Sequence, residues 1–137
     1  MRKLCLDYGD VRIGIAMSDM LGIIASGLET YTRKDEQSDI EHIVKLIKDN
    51  NVDTVVIGLP INMDGTSGNR VEVTKAFGTK LAENTTAKVV YLDERLSSVS
   101  AEKLLIEADV RRDKRKQVID KLAATIILQN YLDIYSK

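Results

Sequence analysis

The chain of 137 residues has the length of one compact domain, and its 44% hydrophobic and 30% charged residues are typical of a globular protein. A net charge of −1 excludes a uniformly basic nucleic-acid-binding protein, and a single cysteine excludes an internal disulfide. No apolar run approaches the roughly 20 residues of a membrane-spanning helix, and no signal-peptide pattern is visible. We therefore expect one soluble domain over residues 1–137, located in the reducing cytoplasm.

Three strands are predicted in the first part of the chain. An apolar run ends the segment Arg2–Asp7, and apolar residues alternate with small ones in Arg12–Ser18. Gly22 and Gly27 mark a turn region, after which Leu28–Thr32 predicts a third strand. Short turns between consecutive strands favour an antiparallel meander.

The apolar pattern then changes to the period of a helix. Apolar residues recur at helical spacing at Ile40, Ile43, Val44 and Ile47. Ser38 and Glu41 have the spacing of a capping box, although Asp35 could cap a helix that begins earlier. The β-branched run Thr54–Ile57 predicts a buried strand.

The second half of the chain continues the alternation of helices and strands. Val71–Leu81 predicts a helix and Lys88–Leu92 a strand. Ser97 or Ser98 can cap a third helix, and a long final helix is expected to begin at Asp120. A meander followed by alternating helices and strands predicts the α/β class, with one mixed sheet covered by helices on both faces.

Acidic residues follow two of the predicted strands and occupy the last helix. Asp7 follows the first strand, and Asp93 and Glu94 follow the fifth. If these two strands are parallel, their carboxyl ends share one edge of the sheet, where ligands of α/β proteins bind. Asp120 is expected on the apolar face of the final helix, close to the small residues Ala123 and Ala124.

Each acid alone has a structural explanation. Asp7 could cap the adjacent turn, Glu94 could pair with Arg95, and Asp120 could pair with Lys116 one turn away. Together, two or three carboxylates suit a hard divalent cation such as Mg²⁺, which takes oxygen ligands and can activate water at a phosphate. One cysteine and one histidine cannot build a zinc centre.

A short basic segment stands out from the nearly neutral chain. Its residues are Arg111, Arg112, Lys114, Arg115 and Lys116, interrupted by Asp113. A run of charges is usually a solvated loop, but a local basic patch is also what a protein that binds a phosphate backbone shows. We expect Asp109–Gln117 to be mobile between two helices until nucleic acid orders it.

Four motifs follow one another along essentially the whole chain. They are Leu6-Asp7-Tyr8-Gly9 with Arg12-Ile13-Gly14, Gly58-Leu59-Pro60 with Asn62-Met63-Asp64-Gly65, Asp93-Glu94-Arg95-Leu96-Ser97, and Asp120 before Ala123-Ala124. On these motifs the sequence resembles the YqgF/RuvX family of pre-16S rRNA nucleases and Holliday-junction-resolvase-like proteins. The turn motif at Asp7 alone is weak, because sugar kinases and actin-like ATPases also carry one.

The resemblance implies an RNase H-like fold, with the meander at one edge of a mixed five-stranded sheet. It also implies Mg²⁺- or Mn²⁺-dependent phosphodiester hydrolysis at the 5′ end of the small-subunit rRNA precursor. By matching position, the catalytic, metal-binding acids would be Asp7 on the central strand, Glu94 on the neighbouring strand and Asp120 on the last helix. Residues expected to face the substrate are Arg12, Asn62, Arg95, Arg111, Arg112, Lys114, Arg115 and Lys116. Related enzymes carry a fourth acid, for which Asp93 or Asp10 could substitute.

Other functions stay open at this stage. A Holliday junction resolvase would act on DNA as a dimer, and a non-catalytic RNA-binding or transcription-associated module would need no metal. An actin-like ATPase normally needs two domains, and no P-loop is present. We expect a monomer or weak homodimer with RNA as the more favoured partner and no membrane partner. Because RNA and DNA present the same phosphodiester, the sequence leaves the substrate and the endo- or exonucleolytic mode undetermined.

Overall fold

The computed structural model describes residues 1–59, 68–93 and 112–135, with the side chains of the last helix described from 121 to 134. The elements in chain order are β1 (Arg2–Tyr8), β2 (Arg12–Ser18), β3 (Ala25–Thr32), α1 (Glu36–Asp49), β4 (Val52–Leu59), α2 (Asn69–Glu83), β5 (Lys88–Asp93) and α3 (Arg112–Tyr135). The helix expected after Ser97 or Ser98 lies outside the described residues, as do Asn62, Glu94, Arg95 and Arg111.

The strands form one five-stranded sheet in the order β3-β2-β1-β4-β5, with β1 at its centre. The pairs β1–β2 and β2–β3 are antiparallel, whereas β1–β4 and β4–β5 are parallel. The expected mixed sheet with the meander at one edge is therefore confirmed. The prediction that β5 neighbours β1 is wrong, because β4 lies between them: each βαβ crossover adds its strand to the growing edge.

Hydrophobic side chains cover both faces of the sheet, as expected. On one face Leu4 and Leu6 of β1 belong to the core cluster that also contains Ile43 of α1 and Phe77 of α2. On the other face α3 packs on small residues; this cluster contains Cys5, Ala16, Ala25, Val56, Ala124, Ile127, Leu128 and Leu132. Cys5 is fully buried and packs in this cluster as a small hydrophobic residue.

Helix α1 begins at the earlier of its two candidate caps. The Asp35 carboxylate accepts a hydrogen bond of 2.8 Å from the backbone N–H of Ser38. That bond satisfies one of the N–H groups that a helix start leaves without a partner. The hydrogen bond and the N–H dipoles around it lower the pKa of Asp35. The face with Ile40, Ile43 and Ile47 is buried, as the apolar spacing predicts.

Strand β3 begins earlier than the sequence indicates. It starts at Ala25, so Gly27 lies within the strand instead of flanking a turn. The reason is a long-range contact: the Gln129 side chain of α3 accepts from Ala25 N (2.9 Å) and donates to Ile23 O (2.9 Å). Gly27 lies directly under α3, where an added Cβ would meet the Lys121 side chain at 2.6 Å.

Helix α3 also begins earlier than expected, at Arg112 instead of Asp120. Residues 112–117, which were expected to lie between two helices, are therefore part of α3. Lys, Arg and Gln are good helix formers, and this stretch contains no glycine or proline to end a helix. Within the described ranges, no helix combines the length and apolar character that crossing a bilayer requires.

Candidate functional site

Asp7 lies at the carboxyl end of β1, the central strand. Successive side chains of a strand point to opposite faces of the sheet. Leu6 and Tyr8 belong to the cluster on the α1 and α2 side, whereas Cys5 belongs to the cluster under α3. Asp7 therefore faces the α3 side, where it is partly buried.

Glycines occupy the two positions beside Asp7 on that face. Gly14 of β2 is paired with Asp7, and the pairing of Leu6 with Ile57 brings Gly58 of β4 to its other side. Neither neighbour carries a side chain next to the carboxylate. At the carboxyl edge of a sheet, such a position leaves room for a ligand approaching the carboxylate oxygens.

Arg12 reaches the same edge from the neighbouring strand. It is the first residue of β2, which runs antiparallel to β1, so the start of β2 lies beside the end of β1. The alternation that puts Ile13 in one core cluster and Ala16 in the other places Arg12 on the α3 face. The structure thus brings Arg12 and Asp7, two of the predicted site residues, to one edge and one face.

The turn after β1 requires glycine at residue 9. Gly9 N donates a hydrogen bond of 2.9 Å to Arg12 O, which closes the turn between β1 and β2. A Cβ added at Gly9 would lie 2.6 Å from that same carbonyl oxygen. A backbone oxygen cannot rotate away as a side chain can, so this turn has no room for alanine.

The Gly9→Ala variant is expected to be destabilised by about 1–3 kcal/mol, the range for overpacked sites. The displaced backbone would also move Asp7, two residues away, so any activity that depends on Asp7 should fall more than the loss of folded protein explains. Urea unfolding and activity at a temperature where the variant is fully folded would measure the two effects. Wild-type stability in the variant would contradict the tight contact.

The two candidates for a fourth acid lie apart from Asp7. The Asp10 side chain is 80% exposed and forms an ion pair with Arg70. Asp93 ends β5, and alternation with Val89 and Tyr91 places it on the α1 and α2 side of the sheet, opposite to Asp7.

The last helix begins near the edge that carries Asp7 and runs away from it. Gln129 contacts Ala25 at the start of β3, and Lys121 lies over Gly27 further along the strand, so α3 is antiparallel to β3 and to the parallel β1. Residues before Lys121, including the backbone of Asp120, therefore lie toward the carboxyl end of β1. Among the residues described, no group of three or more His, Cys, Asp or Glu side chains could hold a metal.

Two arginines that no motif in the sequence indicates contact the turn after β1. Arg33 and Arg70 both donate to backbone carbonyls of the Tyr8–Asp10 turn. These contacts join residues 23 to 62 positions apart in the chain. The periodic patterns in the sequence do not indicate such long-range contacts.

A comparison with known proteins shows the family to which this chain belongs. A family model described as "RuvX: Holliday junction resolvase" matches residues 1–134. The chain belongs to the RuvX family. A relative from Halalkalibacterium halodurans is 53% identical over 135 residues, covering 97% of this chain and 96% of the relative. One from Carboxydothermus hydrogenoformans is 53% identical over 137 residues, covering 100% and 99%. Both carry the name "Putative pre-16S rRNA nuclease".

Solved structures show the fold of this RuvX-family chain. Thermus thermophilus RuvC, solved with a Holliday junction substrate, aligns with a TM-score of 0.62 at 11% identity, covering 98% of this chain and 96% of RuvC. The fowlpox virus Holliday junction resolvase aligns with a TM-score of 0.60 at 13% identity, covering 98% and 99%. The chain therefore has the RNase H-like fold of these resolvases. Its family membership makes it a nuclease, which confirms the expectation of an enzyme acting on nucleic acid.

Proposed function

We propose that this chain is a cytoplasmic, divalent-metal-dependent nuclease that cleaves pre-16S rRNA, with Asp7, Glu94 and Asp120 as its metal-binding acids. One observation carries the proposal: Asp7 lies at the carboxyl end of the central strand, on the α3 face, between Gly14 and Gly58. The family relationship supports the reaction class, and the position of Asp7 supports its assignment to the reaction site.

The donor set fits a hard divalent cation. Asp7 offers carboxylate oxygens beside two residues without side chains, and oxygen is the ligand atom that Mg²⁺ and Mn²⁺ prefer. Glu94 and Asp120, whose side chains lie outside the described residues, are assigned to the site by their positions in the motifs that match the family. These three acids would hold the cation, which when bound supplies charge stabilisation at the phosphate and activation of water.

The chain's own residues have separate tasks in this scheme. Asp7, on the central strand, has the position most strongly fixed by hydrogen bonding on both sides of β1. Arg12, at the same edge and face, would hold the scissile phosphate or one next to it through its guanidinium. The basic residues of α3 would contact the nucleic-acid backbone further from the reacting phosphate.

The substrate is inferred from the relatives. Proteins about half identical to this chain over nearly their full length are named for pre-16S rRNA, whereas the family model and the structural neighbours are named for Holliday junctions. The relatives at 53% identity are far closer than RuvC at 11%. RNA is therefore the first candidate substrate, and a four-way DNA junction is the second.

A cleavage assay on matched substrates tests this proposal. We expect a pre-16S rRNA 5′ segment to be cut in Mg²⁺ or Mn²⁺ and left intact in excess EDTA. DNA duplex and four-way junctions of the same sequence should be cut more slowly. Faster cleavage of the junction would overturn the RNA assignment, and equal cleavage in EDTA would overturn the metal dependence.

A further inference from the structure

The Tyr8–Asp10 turn directly follows Asp7, and two arginines from distant parts of the chain hold its carbonyl groups. We propose that Arg33 and Arg70 are positioning residues, which fix the backbone after Asp7 and thereby the direction of its carboxylate toward the metal. This inference rests on the proposed function, because it concerns the same site. Neither arginine approaches that site from the α3 side of the sheet.

Arg70 contacts the turn from the start of α2. Its Nη2 donates a hydrogen bond of 2.7 Å to Tyr8 O, and its Nη1 pairs with the Asp10 carboxylate. The planar guanidinium thus spans two acceptors of the same turn, which a single ammonium group cannot do in this geometry. The Asp10 side chain is 80% exposed, so replacing Arg70 leaves no buried charge without a partner.

Arg33 contacts the turn from the end of β3. Its Nη1 donates to Gly9 O (3.1 Å) and Asp10 O (3.3 Å). Its Nε donates to the fully buried carboxylate of Asp39 at 3.0 Å, and Lys34 N donates to the same carboxylate at 3.0 Å. A guanidinium anchored in this way to a buried acid has little freedom to move away from the turn.

The side chain of Tyr8 transmits this constraint to Asp7. The guanidinium carbon of Arg33 lies 4.5 Å from the Tyr8 ring centroid, and the Phe77 ring stacks on Tyr8 with centroids 4.4 Å apart. Because Asp7 and Tyr8 alternate across one strand, a rotation of the backbone at Tyr8 would turn the Asp7 carboxylate.

Charge and positioning predict opposite results when Arg70 is neutralised. Removing a positive charge near a cation site should strengthen cation binding by electrostatics alone. Removing a group that orients a metal ligand should weaken binding, by about tenfold at the low end of the range for outer partners of metal ligands. The sign of the change in Mn²⁺ affinity therefore separates the two roles.

The test measures Mn²⁺ binding to the full chain without nucleic acid, by the electron paramagnetic resonance signal of free Mn²⁺. We expect Arg70→Gln to raise the Mn²⁺ dissociation constant about tenfold. Arg70→Lys, which keeps the charge but not the two-pronged contact, should also bind weakly. The matched control is Lys80→Gln, which removes the same charge from the same helix at an exposed ion pair with Glu36. It should bind Mn²⁺ like the wild type.

The outcomes distinguish this inference from the proposed function. If Asp7→Asn abolishes Mn²⁺ binding but Arg70→Gln and Arg70→Lys bind normally or more tightly, the positioning role is wrong and the metal site stands. If Asp7→Asn leaves Mn²⁺ binding unchanged, the metal site itself is wrong. Should Arg70→Gln fail to fold, Arg33→Lys replaces it, since lysine keeps a charge beside Asp39 but cannot reach the carbonyls of Gly9 and Asp10 together with that carboxylate.

Discussion

The nuclease activity of the Asp7→Asn variant is expected to be at least about 100-fold lower than that of the wild type. This decrease is larger than the one expected when a residue that only supports a metal ligand is replaced. The amide keeps the shape of the carboxylate but not its charge, so the proposed metal site would lose a ligand. The fold should survive, because Asp7 is only partly buried and asparagine fills the same volume. Initial cleavage rates on the RNA substrate would measure the effect.

Metal-dependent stability provides a second measurement of the same change. A ligand that binds only the folded state stabilises it by about 2.7 kcal/mol at 100 times its dissociation constant. Mn²⁺ should therefore raise the thermal midpoint of the wild type and leave that of Asp7→Asn unchanged. Asp49→Asn is the matched control, since Asp49 is exposed, pairs with Lys45 and lies at the opposite end of the sheet. A variant at Asp7 that still cuts RNA at the wild-type rate would remove Asp7 from the site.

The helices and strands could be predicted where a periodic pattern of apolar residues is enough to define an element. The stripe at Ile40, Ile43 and Ile47 and the alternation in β2 each fix a face, and the structure buries those faces. The location of Asp7 at the carboxyl end of β1 follows from the same local pattern, whereas the family resemblance implied the central place of β1 in the sheet. Other features depend on parts of the chain that are distant in sequence. The Gln129 side chain extends β3 to Ala25, and β4 lies between β5 and β1 in the sheet.

The surroundings of Asp7 could not be predicted from the sequence, because they depend on strand register and on tertiary structure. The flanking glycines are visible in the sequence, but their position beside Asp7 depends on strand register. Arg33 and Arg70 resemble ordinary surface cations until the fold brings them to one turn. The roles of Glu94 and Asp120 stay predictions, because the side chains of both lie outside the described part of the chain.

The basic stretch at the start of α3 should govern affinity for nucleic acid. Replacing Lys114, Arg115 and Lys116 together with glutamine is expected to make the slope of log affinity against log salt concentration shallower by about 2–3, since each phosphate that is no longer neutralised contributes about 0.7–0.9. When salt is lowered from 1 M to 0.1 M, the affinity of the wild type should therefore rise about 100-fold or more beyond the rise seen for the variant. Glutamine has nearly the helix propensity of lysine and arginine, so α3 should persist. Fluorescence anisotropy over a salt series would measure the slope.

Stability should change in the opposite direction to binding. The amino end of a helix carries a partial positive charge, so basic residues in the first turns of α3 are unfavourable for the free protein. The same charge attracts phosphate, and therefore bound nucleic acid would offset the repulsion. The triple variant should thus melt slightly higher while binding more weakly. A control with Lys45, Lys48 and Lys80 changed to glutamine removes equal charge from α1 and α2, on the opposite face of the sheet. If both triple variants lower the salt slope equally, net charge and not this stretch of α3 accounts for binding.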